Sequence, residues 1–148
     1  MSVYTNLTNN YANGNNPNIE GRDTELNHLF LTLLKQEKPN ALLLGNPGNG
    51  KTSIVHHLAY RIANELCPKE LVGFKVIEVN TNALLSGDGY RGVTEKKFDE
   101  MIQGVLKQGK VILFIDEFHT AENLGKMANG STPGLGNTLK PYLTRGDF

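Results

Sequence analysis

The chain reads GNPGNGKT at residues 45–52, which matches the pattern G-x-x-x-x-G-K-[ST]. Glycines in such a loop let backbone N–H groups curl around a phosphate, and the helix that follows points its positive end at the same anion. Lys51 would then reach the β- and γ-phosphates of a nucleotide, and Thr52 would ligate Mg²⁺. The predicted nucleotide contacts in this segment are Gly45, Asn46, Pro47, Gly48, Asn49, Gly50, Lys51, Thr52 and Ser53.

A second candidate site follows the apolar run VILFI at 111–115, where the chain continues with Asp116 and Glu117. A buried strand would carry Asp116 to its carboxyl end, where open parallel sheets bind ligands, and Asp116 would complete the magnesium shell. Glu117 is the candidate catalytic residue, because a carboxylate beside a bound metal can orient and deprotonate a water. Taken alone, an acidic pair that ends a strand also suits a helix cap or a solvated turn.

The spacing of the two motifs favours one shared site. Asp116 lies 65 residues after Lys51, which leaves room for a helix, a strand and a second helix between them. The alternative for the first motif is an ordinary glycine turn between a strand and a helix. We therefore interpret the pair as a Walker A loop and a Walker B strand, which together bind ATP and Mg²⁺.

Three short apolar runs predict the strands that position these motifs. They occupy 41–44, 74–80 and 110–115, and they are either too short for a helix or rich in β-branched residues. Helical stretches alternate with them, and strands separated by helices pair in parallel through right-handed crossovers. The predicted fold class is α/β, a parallel-sheet phosphate-loop NTPase, with 120–131 as a polar loop.

Apolar residues at helical spacing predict four helices. The first starts at Asp23 and stops before Pro39, and the second runs from the glycine loop to Pro68. The third contains 98–106 and ends near Gly109, and the fourth contains 135–143, where Pro141 weakens the prediction. Residues 1–18 contain seven asparagines and almost no apolar periodicity, so we expect a flexible leader there. Residues 19–148 are then the expected folded part.

Composition narrows the classes of partner and compartment. Lysine plus arginine number 15 and aspartate plus glutamate number 15, so no broad field favours nucleic acid or an anionic membrane. One cysteine excludes an internal disulfide, and no N-terminal apolar stretch resembles a signal peptide or a membrane span. These features fit a reducing, cytoplasmic setting. His56 and His57 have no ligand cluster at metal-binding spacing, and we place them on a solvated helix face.

The chain resembles the front part of AAA+ nucleotide-binding domains, and most closely the first ATPase domain of Clp-type protein unfoldases and disaggregases. EGRDTEL at 20–26 resembles the glycine-arginine motif near the adenine, which implies Ile19 and Arg22 as nucleotide contacts, with Glu20 inserted between Ile19 and Gly21. LLSGDGYRGVTEKKF at 84–98 resembles the first pore loop. Tyr90 matches the aromatic residue that grips polypeptide in that loop, and Arg91 follows it. The segments IDEFHT and NTLKPYLTRGDF resemble the family's sequence after the Walker B strand.

The resemblance implies an ATP-hydrolysing module of a chaperone that threads polypeptide through a homo-oligomeric ring, a hexamer in the family. It also implies a sensor strand, an arginine finger and a helical lid, none of which the 148 residues supply. In the family the sensor strand lies between the Walker A and Walker B strands, so we expect an unfilled slot between them. A fragment of a longer unfoldase, completion by another polypeptide or strand exchange, and a rearranged sheet are three explanations, of which we favour the first.

Two other functions stay open at this stage. One is a nucleotide-binding regulatory subunit or fragment without ATPase activity of its own, against which Glu117 argues, because a silent site does not need that carboxylate. The other is a DNA-handling AAA+ relative such as a clamp loader, for which a basic surface is expected and which the neutral net charge disfavours.

Overall fold

The computed structural model describes residues 3–14, 23–45, 51–80, 83, 91–115 and 135–148, and within these only the backbone of 51, 91–94 and 135–137. The elements in chain order are β1 (Tyr4–Asn6), α1 (Leu7–Tyr11), α2 (Asp23–Lys35), β2 (Ala41–Leu44), α3 (Lys51–Ala63), a 3-10 turn (Lys69–Leu71), β3 (Lys75–Val79), α4 (Arg91–Leu106), β4 (Val111–Ile115) and α5 (Leu135–Arg145).

The four strands form one mixed sheet in the order β1-β3-β4-β2. The three predicted strands pair in parallel, with Ala41 beside Ile112 and Lys75 beside Val111. All five residues of β4 are buried, as the apolar run at its position predicts for a central strand covered on both faces. The α/β prediction is therefore confirmed for the core of the sheet.

The prediction of an unfilled gap between the expected Walker A strand, β2, and the expected Walker B strand, β4, is wrong. β2 and β4 are direct neighbours, and Leu44 lies opposite Ile115 at their carboxyl ends. Direct pairing satisfies backbone N–H and C=O groups that an unfilled slot would leave without partners, which is the physical reason for this arrangement. Among the described residues, β2 pairs with β4 alone and is the last strand of the sheet on that side.

Helices cover both faces of the sheet and produce two apolar clusters. On one face, α4 and α5 pack on alternate strand residues, with Phe98, Ile102 and Val105 fully buried. On the other face, α1, α2 and α3 pack on the remaining residues, with Leu58 fully buried and Leu26 1% exposed. The period of two along each strand and the helical stripes together explain this three-layer architecture.

Residues 3–14 differ from the expected flexible leader. β1 adds to the sheet in antiparallel pairing with β3, and Leu7 of α1 is only 2% exposed within the second cluster. The Asn6 side chain accepts a hydrogen bond from the Asn9 backbone N–H at 3.1 Å and caps α1. Edge pairing, one buried leucine and a cap therefore order a segment whose composition suggests disorder.

Helix boundaries also depart from prediction in two places. α4 begins at Arg91, before the predicted apolar stripe, so the predicted pore-loop residue Arg91 is the first residue of this helix. α5 continues through Pro141 to Arg145 and buries Leu139 and Tyr142. None of the helices that the structure describes combines the length and apolar character needed to span a bilayer.

Asn40 fastens the end of the sheet that lies opposite the predicted phosphate loop. Its side chain accepts a hydrogen bond from the Val111 backbone N–H at 2.9 Å and donates one to the Asp147 carbonyl at 2.9 Å. The residue is 9% exposed, so both bonds are largely shielded from water. The start of β2, the start of β4 and the segment after α5 are thus held together by one side chain.

Candidate functional site at the carboxyl ends of β2 and β4

The two predicted motifs begin at neighbouring strand ends. Gly45 follows β2, and its backbone N–H donates to the Ile115 carbonyl at 3.0 Å, one residue before Asp116. Because β2 and β4 are parallel, the segments that follow these two strands leave the sheet at the same edge. The start of the Walker A loop and the residue before the Walker B carboxylate are therefore in direct contact.

Helix α3 starts at Lys51, the residue predicted to reach the phosphates. Its first turn contains no acidic side chain, so its positive end is not neutralised from within the turn. Thr52 is half-buried and Ser53 is exposed. A strand, a glycine-containing connection and a helix follow one another as the phosphate-loop pattern requires.

An apolar groove of about 540 Å³ lies beside this helix start. It is bounded by the first turns of α2 and α3 and by the last part of β2, and its volume is in the range typical of small-molecule sites. The lining residues are Thr24, Glu25, His28, Leu29, Thr32, Leu43, Ile54 and Val55. The sequence did not identify this groove, although Leu29 and Ile54 belong to the helical stripes from which α2 and α3 were predicted.

Several predicted site residues lie outside the described part of the chain. These are Ile19, Arg22, Asn46, Pro47, Gly48, Asn49, Gly50, Tyr90, Asp116 and Glu117. Their predicted roles as nucleotide contacts, pore-loop aromatic, metal ligand and catalytic base stay predictions. The described elements nevertheless end or begin next to them, since α2 starts one residue after Arg22 and β4 ends one residue before Asp116.

The donor set fits magnesium in its chemistry. Mg²⁺ prefers oxygen ligands and takes few of them from the protein, and Thr52 and Asp116 would supply a hydroxyl and a carboxylate. In the described ranges no group of three or more histidine, cysteine, aspartate or glutamate side chains forms a separate metal site.

His57 is not on a solvated face, so the prediction is wrong for this residue, whereas the side chain of His56 is 27% exposed. His57 is 8% exposed, and among the described residues its Nδ1 atom has no hydrogen-bond partner. Burial and the nearby Arg61 lower the pKa of His57, while Asp23 raises it more weakly. His57 lies three residues after Ile54, next to the apolar stripe of α3, and this spacing was the signal that sequence reasoning missed.

A parallel sheet whose strand leads through a glycine loop into a helix, beside a buried strand that precedes two acidic residues, defines the class of phosphate-loop nucleotide-binding proteins. The chain belongs to the AAA family, the ATPase family associated with various cellular activities, whose sequence profile matches residues 41–143.

Within this family the relatives are of Clp type, which confirms the resemblance. The chain is 40% identical over 130 residues to "Chaperone protein ClpB" of Helicobacter hepaticus. It is 42% identical over 131 residues to the protein of that name from Dichelobacter nodosus. Each alignment covers 88% of this chain and 15% of the relative, so the chain spans less than a fifth of those proteins.

Solved structures of Hsp104 from S. cerevisiae share the fold. The Hsp104–ADP complex superposes with a TM-score of 0.71 at 33% identity, over 99% of this chain and 20% of that chain. The extended conformation of the Hsp104:casein complex gives a TM-score of 0.71 at 32% identity, over 98% of this chain and 24% of that one. The chain is thus similar to a limited part of a larger chaperone.

Proposed function

We propose that this chain binds Mg·ATP and forms the nucleotide-hydrolysing module of a Clp-type chaperone. The observation that carries the proposal is the parallel direction of β2 and β4, because the glycine-containing segment after β2 and the acidic pair after β4 then both follow the same edge of the sheet. Lys51 and Thr52 bind the phosphates and Mg²⁺, Asp116 completes the metal site, and Glu117 activates the attacking water. We assign the groove beside α3 to the base, because its lining residue Thr24 follows the predicted nucleotide contact Arg22 by two residues in the chain.

Bound Mg²⁺ would supply charge neutralisation of the phosphates during transfer. The protein itself would hold the phosphates in one geometry and keep a carboxylate near the attacking water. The relative named in an ADP complex supports the choice of an adenine nucleotide.

One observation favours the alternative of a module that binds nucleotide without turning it over. β2 and β4 are adjacent, whereas the family resemblance implies a strand between them. Direct pairing changes the relative placement of the two strands that lead to the predicted phosphate loop and the predicted catalytic carboxylate, and transfer chemistry is sensitive to the positions of the reacting groups.

Glu117→Gln distinguishes the two. Glutamine keeps the size of the side chain but cannot accept a proton, so we expect nucleotide affinity within about two-fold of wild type and phosphate release reduced by about a hundred-fold or more. Single-turnover release of phosphate from Mg·ATP measures this. Wild-type release equal to that of the variant, with nucleotide bound, would establish the silent alternative.

We also propose that Tyr90 and Arg91 contact substrate polypeptide in a homo-oligomeric ring, as the relative solved with casein suggests. A tyrosine between glycines, followed by arginine, offers an amphipathic contact to an extended chain. In a protein that carries this module within an assembled ring, Tyr90→Ala should leave ATP hydrolysis within about two-fold and abolish translocation of unfolded casein. Retained translocation would contradict the assignment of Tyr90.

A further inference from the structure

Three polar side chains from three elements meet beside the helix that starts with Lys51. The Tyr11 hydroxyl of α1 lies 2.7 Å from Nδ1 of His56 in α3. Nε2 of His56 lies 3.5 Å from Oε1 of Glu78 in β3. The rings of Tyr11 and His56 also contact each other edge to face, with centroids 5.8 Å apart. We call these three residues the brace.

The polar contacts of the brace are partly shielded from water. The side chains of His56 and Glu78 are 27% and 20% exposed. Burial and the charge of Glu78 raise the pKa of Tyr11, so its hydroxyl keeps its proton. The Tyr11 hydroxyl lies at Nδ1 of His56, and the Glu78 carboxylate lies on the side of Nε2. Both ring nitrogens of His56 therefore face a partner.

A second contact fastens the same part of α1 to α3. The Asn64 side chain donates to the backbone carbonyl of Tyr11 at 2.9 Å and also to the carbonyl of Tyr60 at 2.9 Å. The N-terminal helix is thus attached near the middle of α3 through His56 and just beyond its end through Asn64. Its backbone and its side chain are both fixed relative to α3.

The brace links α3, which carries Lys51 and Thr52 in its first turn, to the sheet whose strand β4 precedes Asp116. His56 lies four residues after Thr52, so the two side chains are on the same face of α3, one turn apart. Glu78 lies in β3, opposite Phe114 of β4, two residues before Asp116. The contact between His56 and Glu78 therefore links α3 to β3, which pairs with the strand that leads to the predicted metal ligand.

We propose that His56 is a positioning residue for the nucleotide phosphates, held by Tyr11 and Glu78 so that the first turn of α3 faces the site. This inference rests on the proposed function, because the phosphates of Mg·ATP are the ligand that the positioned turn would bind. Loss of the brace lowers the fraction of molecules in which Lys51 and Thr52 are correctly oriented, and apparent affinity falls by the same factor. The N-terminal segment is then a functional part of the nucleotide site.

Tyr11→Phe tests this proposal with the smallest change, because it removes one hydroxyl and keeps the ring. The matched control is Tyr4→Phe, which removes the hydroxyl that accepts a hydrogen bond from the Gln108 side chain at 3.1 Å, in β1 and away from α3. We expect the Kd for a fluorescent ATP analogue with Mg²⁺ to rise about three- to ten-fold in Tyr11→Phe. In Tyr4→Phe it should change by less than about two-fold. Equal Kd values in the two variants would overturn the proposal.

Amide hydrogen exchange in the nucleotide-free chain checks the cause. Tyr11→Phe should speed exchange at residues 52–56 relative to Tyr4→Phe, since the first turns of α3 lose an anchor. Weaker binding without faster exchange would assign the loss to another cause and overturn the positioning role. Faster exchange with unchanged Kd would leave the brace a purely structural feature and also overturn it.

Failure of this inference is distinguishable from failure of the proposed function. If wild type binds the analogue and Lys51→Ala does not, the nucleotide site stands, and Tyr11→Phe alone decides on the brace. If wild type binds no nucleotide, the proposed function fails, and the positioning role fails with it.

Discussion

At the residue scale, the buried histidine of α3 is the clearest case in which environment decides chemistry. His57 is 8% exposed, and burial and the charge of Arg61 lower its pKa, while Asp23 raises the pKa more weakly. Removing the ring from water penalises its charged form, so the folded chain binds a proton at His57 less readily than the unfolded chain does. A side chain of this kind links stability to pH.

Stability should therefore fall as the pH drops below about 6.5, the usual value for histidine. Below that pH the unfolded chain binds a proton at this residue, whereas the folded chain does not yet do so because its pKa is lower. The loss of stability continues until the pH reaches the pKa of the folded chain. The slope from this one group has an upper limit of about 1.4 kcal/mol per pH unit, the value for one full proton of difference between the two states. Urea unfolding between pH 5 and 7.5 measures it.

His57→Leu should flatten this part of the curve, because leucine fills the buried site and does not titrate. His28→Gln is the control, since His28 is exposed on α2 and should leave the slope unchanged. An unchanged slope in His57→Leu would show that His57 does not carry the linkage.

At the element scale, the sequence identified the elements whose signal is local. The helical stripes of α2 and α3 and the apolar runs of β2 and β4 were predicted because periodicity and burial require only nearby residues. β1 was missed because three residues become a strand only by pairing with β3, a contact between positions about seventy apart, as between Thr5 and Glu78. The start of α4 was missed for a related reason, since its polar first turns have no apolar stripe.

The candidate site likewise combines features with a local sequence signal and features that depend on contacts between distant residues. The Walker A and Walker B assignments depend on local sequence patterns with a known mechanism, so they could be predicted from the sequence alone. The groove beside α3 and the brace between Tyr11, His56 and Glu78 arise from packing between distant elements. No pattern of neighbouring residues indicates such contacts.

The docking of the N-terminal element can be tested through Leu7. Leu7→Ala should lower the free energy of unfolding by about 2–5 kcal/mol, because it removes a side chain that is 2% exposed in the second core cluster. Asn10→Ala, at an exposed position of the same helix, should change it by less than about 0.5 kcal/mol. Denaturant unfolding compares the two, and equal stability would contradict the packing of α1 against α3 and β3.

At the scale of the whole molecule, one sheet organises the protein's chemistry. Its two covered faces supply the apolar core, and the carboxyl ends of β2 and β4 bring the starts of both nucleotide motifs together. Asn40 holds the opposite end of the same two strands. The sheet also places β2 at its edge, with one strand partner in the described part of the chain.

The central claim is that this arrangement forms a site for Mg·ATP, and thermal unfolding of residues 1–148 with and without saturating Mg·ATP tests it most directly. At about a hundred times its Kd, a ligand that binds only the folded chain adds roughly 2.7 kcal/mol to stability. We predict a single cooperative transition. Mg·ATP should raise its midpoint temperature in wild type and leave it unchanged in Lys51→Ala. A transition that is indifferent to Mg·ATP in wild type, or raised equally in Lys51→Ala, would contradict the account.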